Sequence, residues 1–108
     1  MDTSAFEDMA EKTLEALFSE LDEAVGDDAD VDYEGGILTI ELEDGRQYIV
    51  NKHSASKEIW VSSPVSGAAH YAFDEVAKAW LSTRGGAVLS QTLADELQQI
   101  TGHSVTLS

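Results

Sequence analysis

Apolar residues recur at two different periods along the chain, and the change of period divides it into three stretches. Phe6, Met9, Ala10, Leu14, Leu17, Phe18, Leu21 and Val25 fall at helical spacing and predict an amphipathic helix over residues 4–25. Ser4 and Glu7 have the S-x-x-E spacing of a capping box, and Gly26 supplies a stop. From residue 30 to 82 the period falls to two and turn signals become frequent. Leu38, Ile40 and Leu42 share one face of a strand over 37–42, preceded by Gly35-Gly36 and followed by the hairpin signal Asp44-Gly45. Further strands are expected at 46–51, 59–62, 70–73 and 79–82, with turns at 54–57, 64–67 and 74–78. Helical spacing returns over 88–101 through Leu89, Leu93, Leu97 and Ile100, and Gly102 ends it. Val105-Thr106-Leu107 has modest strand character.

A helix, a run of short strands with short links, and a second helix predict an α+β fold. The expected architecture is a two-layer sandwich in one domain over residues 1–108. Its N- and C-terminal helices pack on one face of a five- to seven-stranded antiparallel sheet. The other sheet face is left at least partly open. In Ile59-Trp60-Val61-Ser62 the alternation sends the two aliphatic residues inward and Trp60 to the open face, with core packing of Trp60 as the alternative. Of Trp80 and Leu81, one is expected in the core.

Charge adds a second layer to this picture. The 108 residues carry 21 acids and 6 bases, a formal net charge of −15. Residues 1–34 hold 13 of the acids and a single base, Lys12, so most of the excess lies in the first third. Winding at about 100° per residue places Asp8, Glu11, Glu15 and Asp22 in one narrow strip beside the apolar stripe. Asp28, Asp30 and Asp32 then alternate with Ala29, Val31 and Tyr33, which puts three carboxylates on one face of a first strand. A solvated helix face is the ordinary meaning of such acids. An acidic ridge over two elements is the sharper reading, because it repels itself at roughly 0.2–0.5 kcal/mol per close pair.

Several functions are excluded at this point. The absence of cysteine removes disulfides, thiolate nucleophiles, Cys-ligated zinc and protein-held iron–sulfur clusters. The negative charge disfavours nucleic acid and anionic membrane surfaces as partners, and no apolar run approaches the roughly 20 residues of a membrane span. No leader segment is visible, and there is no nucleophile elbow, phosphate-binding glycine loop, H-E-x-x-H or EF-hand loop. His53, His70 and His103 are distant in sequence and read as surface or packing histidines. The remaining metal ligands are carboxylate oxygens, suited to Fe²⁺, Fe³⁺, Mn²⁺, Mg²⁺ or Ca²⁺ in weak, labile sites. The residues alone describe an acidic α+β module that binds cations or a basic partner.

The segments Tyr33-Glu34-Gly35-Gly36-Ile37-Leu38-Thr39, Tyr48-Ile49-Val50-Asn51-Lys52, Ile59-Trp60-Val61-Ser62-Ser63-Pro64, Ser66-Gly67 and His70-Tyr71-Ala72-Phe73-Asp74 resemble the frataxin family. The similarity continues through Trp80 and the 89–102 helix and is nearer the mitochondrial and alphaproteobacterial branch. It implies the same α+β fold and an accessory role in iron–sulfur cluster assembly. The implied partners are a cysteine desulfurase and its iron–sulfur scaffold protein, with sulfur transfer modulated by the bound factor. It implies weak iron binding, Fe²⁺ or Fe³⁺, at the acidic ridge, which matches Asp8, Glu11, Glu15, Asp22, Asp28, Asp30 and Asp32. It further implies partner contacts at Asn51, Lys52, Trp60 and His70. Departures from the family pattern fall at His53 and Glu58, each in place of Gln, at Ala68-Ala69, in place of a Pro-containing turn, and at His70, where some members carry Arg and bacterial ones His.

A chain without thiols cannot carry the persulfide itself, so the resemblance implies a regulator and not an enzyme. A ferroxidase or iron-storage enzyme, or an acidic binder of basic proteins, are the alternatives. A monomer is expected, with iron-dependent oligomerisation the other outcome. Met1 just before the first helix fits a bacterial cytoplasmic protein, and a processed mitochondrial matrix protein is the alternative.

Overall fold

The computed structural model describes residues 1–108. Its elements run α1 (Thr3–Val25), β1 (Ala29–Glu34), β2 (Ile37–Leu42), β3 (Gln47–His53), β4 (Glu58–Ser63), β5 (Gly67–Asp74), β6 (Ala79–Ser82) and α2 (Leu89–Thr101). The six strands form one antiparallel meander in the order β1-β2-β3-β4-β5-β6. Short turns between neighbours permit only this ladder order, because a parallel neighbour would need a long crossover. Gly35 and Gly36 make the β1–β2 turn with φ of 61° and 79°, the left-handed region that glycine enters without Cβ strain.

Alternation along the strands explains why both helices sit on the same side. Val31 on β1, Leu38, Ile40 and Leu42 on β2, Tyr48 and Val50 on β3, Ile59 and Val61 on β4, and Tyr71 on β5 are all buried. Opposite them lie Phe6, Ala10, Leu14, Leu17, Leu21 and Val25 of α1 and Leu89, Leu93, Ala94 and Leu97 of α2, equally buried. Each large aliphatic side chain removed from water contributes roughly 1.5–3 kcal/mol, so a one-residue register slip in any strand would be heavily penalised. Trp80 belongs to this core. Its ring meets Phe6 and Phe73 edge-on, at centroid distances of 5.9 and 5.4 Å, and its Nε1–H donates to Thr13 Oγ1 at 3.0 Å.

Three local expectations are corrected. The N-cap of α1 is Asp2, not Ser4: its carboxylate accepts the Ala5 N–H at 2.7 Å, and Ser4 lies inside the helix. A carboxylate at the positive helix end is a stronger acceptor than a hydroxyl. Glu7 is turned away from the cap, accepting from Ser54 Oγ at 2.9 Å. Asp28 lies in the turn before β1, so Asp30, Asp32 and Glu34 are the exposed acids of that strand. The 105–107 tail forms no strand: Val105 is buried, and its N–H is satisfied by Gln98 Oε1 at 3.3 Å.

One polar network ties α2 to the sheet. Glu96 of α2 accepts from Tyr48 Oη at 2.8 Å, Ser63 Oγ at 2.6 Å and Ser66 Oγ at 2.7 Å. Ser63 Oγ in turn accepts the backbone N–H groups of Val65 and Ser66, closing the β4–β5 turn. Burial and the adjacent Glu96 carboxylate push the Tyr48 hydroxyl well above its ordinary pKa.

Tyr48→Phe should cost about 1–2 kcal/mol in urea unfolding, since Glu96 loses one of its donors. Tyr48→Phe combined with Glu96→Ala should cost less than the sum of the two single changes. Tyr48 and Tyr33 have raised pKa values in the fold, as does Lys52. The stability they contribute is therefore complete below about pH 10 and falls as pH climbs beyond it, which an alkaline titration of unfolding will show. Tyr48→Phe should flatten that decline.

Candidate interaction site

The sheet face away from the helices carries the side chains of opposite parity. Register places Glu34, Ile37, Asn51, Trp60 and His70 directly across from one another on β1 to β5. Neighbouring rows hold Asp32, Thr39, Ile49, Ser62 and Ala68, and Asp30, Glu41 and Gln47. The face thus changes character across its width. It is acidic along β1 and at Glu41 of β2, and aromatic and small in the middle.

Trp60 lies on this open face, half-buried, with its indole between two imidazoles. His53 stacks on one side at 3.7 Å between ring centroids and 9° between planes, and His70 on the other at 4.3 Å and 8°. Trp60 Nε1–H donates to Glu58 Oε1 at 2.9 Å, and the same oxygen lies 3.7 Å from His70 Nδ1. His53 Nδ1 pairs with Ser56 Oγ at 2.6 Å. Cross-strand geometry produces this triad. Trp60 is paired with Asn51 on β3 and His70 on β5, and His53 lies diagonally two residues on, within reach of flat side chains. Both π faces of the indole are covered, so its outward contact is made by the ring edge.

Sequence reasoning found Trp60 and His70 but not the stack with His53 or the role of Glu58. The signal was available in the four-residue turn 54–57, which sets His53 opposite Glu58 and therefore Asn51 opposite Trp60. Asn51 is on the open face beside Trp60, with its side-chain amide donating to the Lys52 carbonyl at 3.2 Å. Lys52 is not with them. It shares the parity of Tyr48 and Val50, so it extends on the helix side, where its Nζ lies 2.8 Å from Glu11 and 3.9 Å from Glu7.

The acids along α1 and β1 wrap the sheet edge from two sides. Glu11, Glu15 and Asp22 are exposed on α1, and Asp30 and Asp32 project from the open face of β1, whereas Asp8, also exposed, borders a groove lined by Phe73, Lys78 and Trp80 on the β6 side of the helix. Two of them act on Tyr33, whose hydroxyl pKa is raised by burial and then by Glu15 and Glu11. Asp28 stands apart, 3.0 Å from His103 Nε2 just past the end of α2. Glu11 is partly neutralised by Lys52. Nowhere do three or more His, Asp or Glu side chains converge closely enough to hold one metal ion together. The arrangement suits diffuse attraction of cations more than a fixed coordination cage.

Removing both imidazoles (His53→Ala with His70→Ala) should at least double the acrylamide quenching of Trp60 fluorescence. Trp80, shielded in the core, provides a constant background.

Comparison with known proteins fits this geometry. The family model described as a frataxin-like domain matches residues 1–103. An iron–sulfur cluster assembly protein, CyaY, from Thioalkalivibrio sulfidiphilus is 39% identical over 100 residues, covering 91% of this chain and 92% of the relative. The mitochondrial frataxin homologue of Schizosaccharomyces pombe is 38% identical over 84% of this chain, which spans 60% of that relative's length. Among solved structures, a trimeric frataxin from the yeast Saccharomyces cerevisiae, described as complexed with ferrous iron, superposes with a TM-score of 0.69 at 32% identity, over 90% of this chain and 85% of that one. Frataxin from Psychromonas ingrahamii shares the fold with a TM-score of 0.87, over 100% of this chain and 99% of that one, at 22% identity. No helix is long and apolar enough to cross a membrane. On the family match and the identity to these relatives, the chain belongs to the frataxin family.

Proposed function

We propose that this protein is a non-enzymatic accessory factor of iron–sulfur cluster assembly that docks on a cysteine desulfurase–scaffold complex and modulates sulfur transfer. The observation that carries the reading is the open sheet face: a presented Trp60 edge, flanked on one side by an acidic helix and strand. Acids on one flank steer a basic partner surface into place over long range, and the aromatic centre supplies the short-range anchor once water is expelled. The family's relatives named as iron–sulfur cluster assembly proteins support the pathway assignment. The chain's lack of cysteine directs its role toward repositioning the partners' reactive groups.

Iron enters this reading as cargo. The yeast relative described as complexed with ferrous iron supports it. The carriers are the exposed carboxylates Asp8, Glu11, Glu15, Asp22, Asp30 and Asp32, each able to hold a hydrated cation at low affinity. Asp28 joins them only when its pairing with His103 is released. Ions gathered there relieve the self-repulsion of the flank, so binding and folding are linked.

The test is a binding and sulfide-production assay with the desulfurase and scaffold. Trp60→Ala should leave the melting temperature within a few degrees of wild type and weaken complex binding at least tenfold. Unchanged binding would remove Trp60 from the contact. Glu15→Lys with Asp22→Lys should weaken binding several-fold at low ionic strength, with the difference shrinking at about 0.5 M salt as charges are screened. A salt-independent loss would contradict electrostatic steering. Millimolar Mg²⁺ or Fe²⁺ should raise the melting temperature of wild type more than that of this charge-reversed variant.

A further inference from the structure

The opposite margin of the same open face has a different chemistry from the acidic flank. A cavity of about 390 Å³ between β5 and the chain leaving β6 is lined by Ala68, Ala69, His70, Ser82, Thr83 and Arg84. None of these residues is acidic. In a chain with 21 acids and 6 bases that composition stands out, because four other surface concavities are each lined by at least one carboxylate.

The basic groups here are available. Arg84 is exposed and has no carboxylate within ion-pairing distance, unlike Arg46, held by Asp44, or Lys52, held by Glu11. The Arg84 backbone is pinned, its N–H donating to Ser82 Oγ at 3.2 Å and its carbonyl accepting from the same hydroxyl at 2.9 Å. The β5 side is fixed by Thr83 N–H donating to the His70 carbonyl at 2.9 Å. His70 is held by its stack on Trp60, with Nδ1 toward Glu58 and Nε2 free of any hydrogen bond. Small side chains at Ala68 and Ala69 leave the cavity open. Glu58 is engaged by the Trp60 indole N–H, and Asp74, farther along β5 on the same face, accepts the Val76 and Ala77 backbone N–H groups of the β5–β6 turn.

We infer that Arg84, with Thr83 and His70, forms a receptor for a carboxylate side chain of the protein that docks on the Trp60 face. This rests on the docking reading above and extends it to the partner's own surface. That surface carries bases where it meets α1 and β1, an apolar or hydrogen-bonding patch over Trp60, and an Asp or Glu beyond it. The guanidinium fork suits a planar carboxylate, which it grips with two parallel hydrogen bonds. Opposite signs at the two margins would fix the orientation of docking, since a partner turned by half a revolution would bring like charges together at both ends.

The test compares charge reversals with the same net change. Affinity for the desulfurase–scaffold complex is measured for wild type, Arg84→Glu, Arg84→Lys and Lys78→Glu, with Trp60→Ala as reference. Lys78 is exposed in the β5–β6 turn, away from the open face, and lacks an ion pair. Arg84→Glu should weaken binding about tenfold or more, Lys78→Glu less than threefold, and Arg84→Lys should recover part of the loss. Arg84→Glu indistinguishable from Lys78→Glu, while Trp60→Ala abolishes binding, would overturn the carboxylate receptor and leave the docking reading intact. Wild-type affinity for Trp60→Ala would overturn the docking reading itself. Matching melting temperatures of Arg84→Glu and wild type will separate a lost contact from lost folding.

Discussion

Everything on the functional surface depends on the apolar layer trapped between the two helices and one face of the sheet. That layer absorbs one parity of every strand, so the other parity is presented to solvent as a set of cross-strand rows in fixed register. The position of Trp60 opposite Asn51 and His70 is a consequence of where Ile59 and Val61 must go. The Glu96 network reinforces this from the helix side. It clamps the β4–β5 turn through Ser63 and Ser66 and so holds the two strands that carry Trp60 and His70.

Charge is organised on the same frame. Because β1 is an edge strand and α1 runs against it, acids from both elements collect around one margin of the sheet. Lys52 crosses under that margin to meet Glu11 and relieves part of the repulsion, which is why its own pKa is raised. The far margin, at β5 and β6, is where an unpaired Arg84 remains. The open face therefore has a negative side at β1, an aromatic centre, and an exposed Arg84 at one end of its far margin. Such a pattern is better suited to orienting a large partner than to enclosing a small substrate.

Much of this was legible in the sequence because period and turn chemistry are local signals. The two helices, the meander, the outward Trp60 and a core role for one of Trp80 and Leu81 follow from alternation and from Gly35-Gly36 and Asp44-Gly45. What was not legible required distances between segments. Asp2 outcompeted Ser4 as a cap because a carboxylate gains more from the helix end. Asp28 left the strand because the chain was still turning out of α1 and its carboxylate found His103. Lys52 could have been assigned to the helix side from its parity with Val50, but its pairing with Glu11 depends on how α1 lies over the sheet. The His53–Trp60 half of the stack could have been read from the four-residue 54–57 turn, but the stack's geometry with His70 and the acid-free cavity at Arg84 needed the placement of β5 and the path of the chain after β6.

The most direct test maps the contact itself. Cross-saturation NMR on the isotope-labelled protein bound to an unlabelled desulfurase–scaffold complex reports which residues lie against the partner. Signal loss should concentrate at Asn51, Trp60, His70 and the exposed acids of β1, with α2 unaffected. A footprint centred on α2, with the Trp60 indole unperturbed, would contradict the open sheet face as the docking surface.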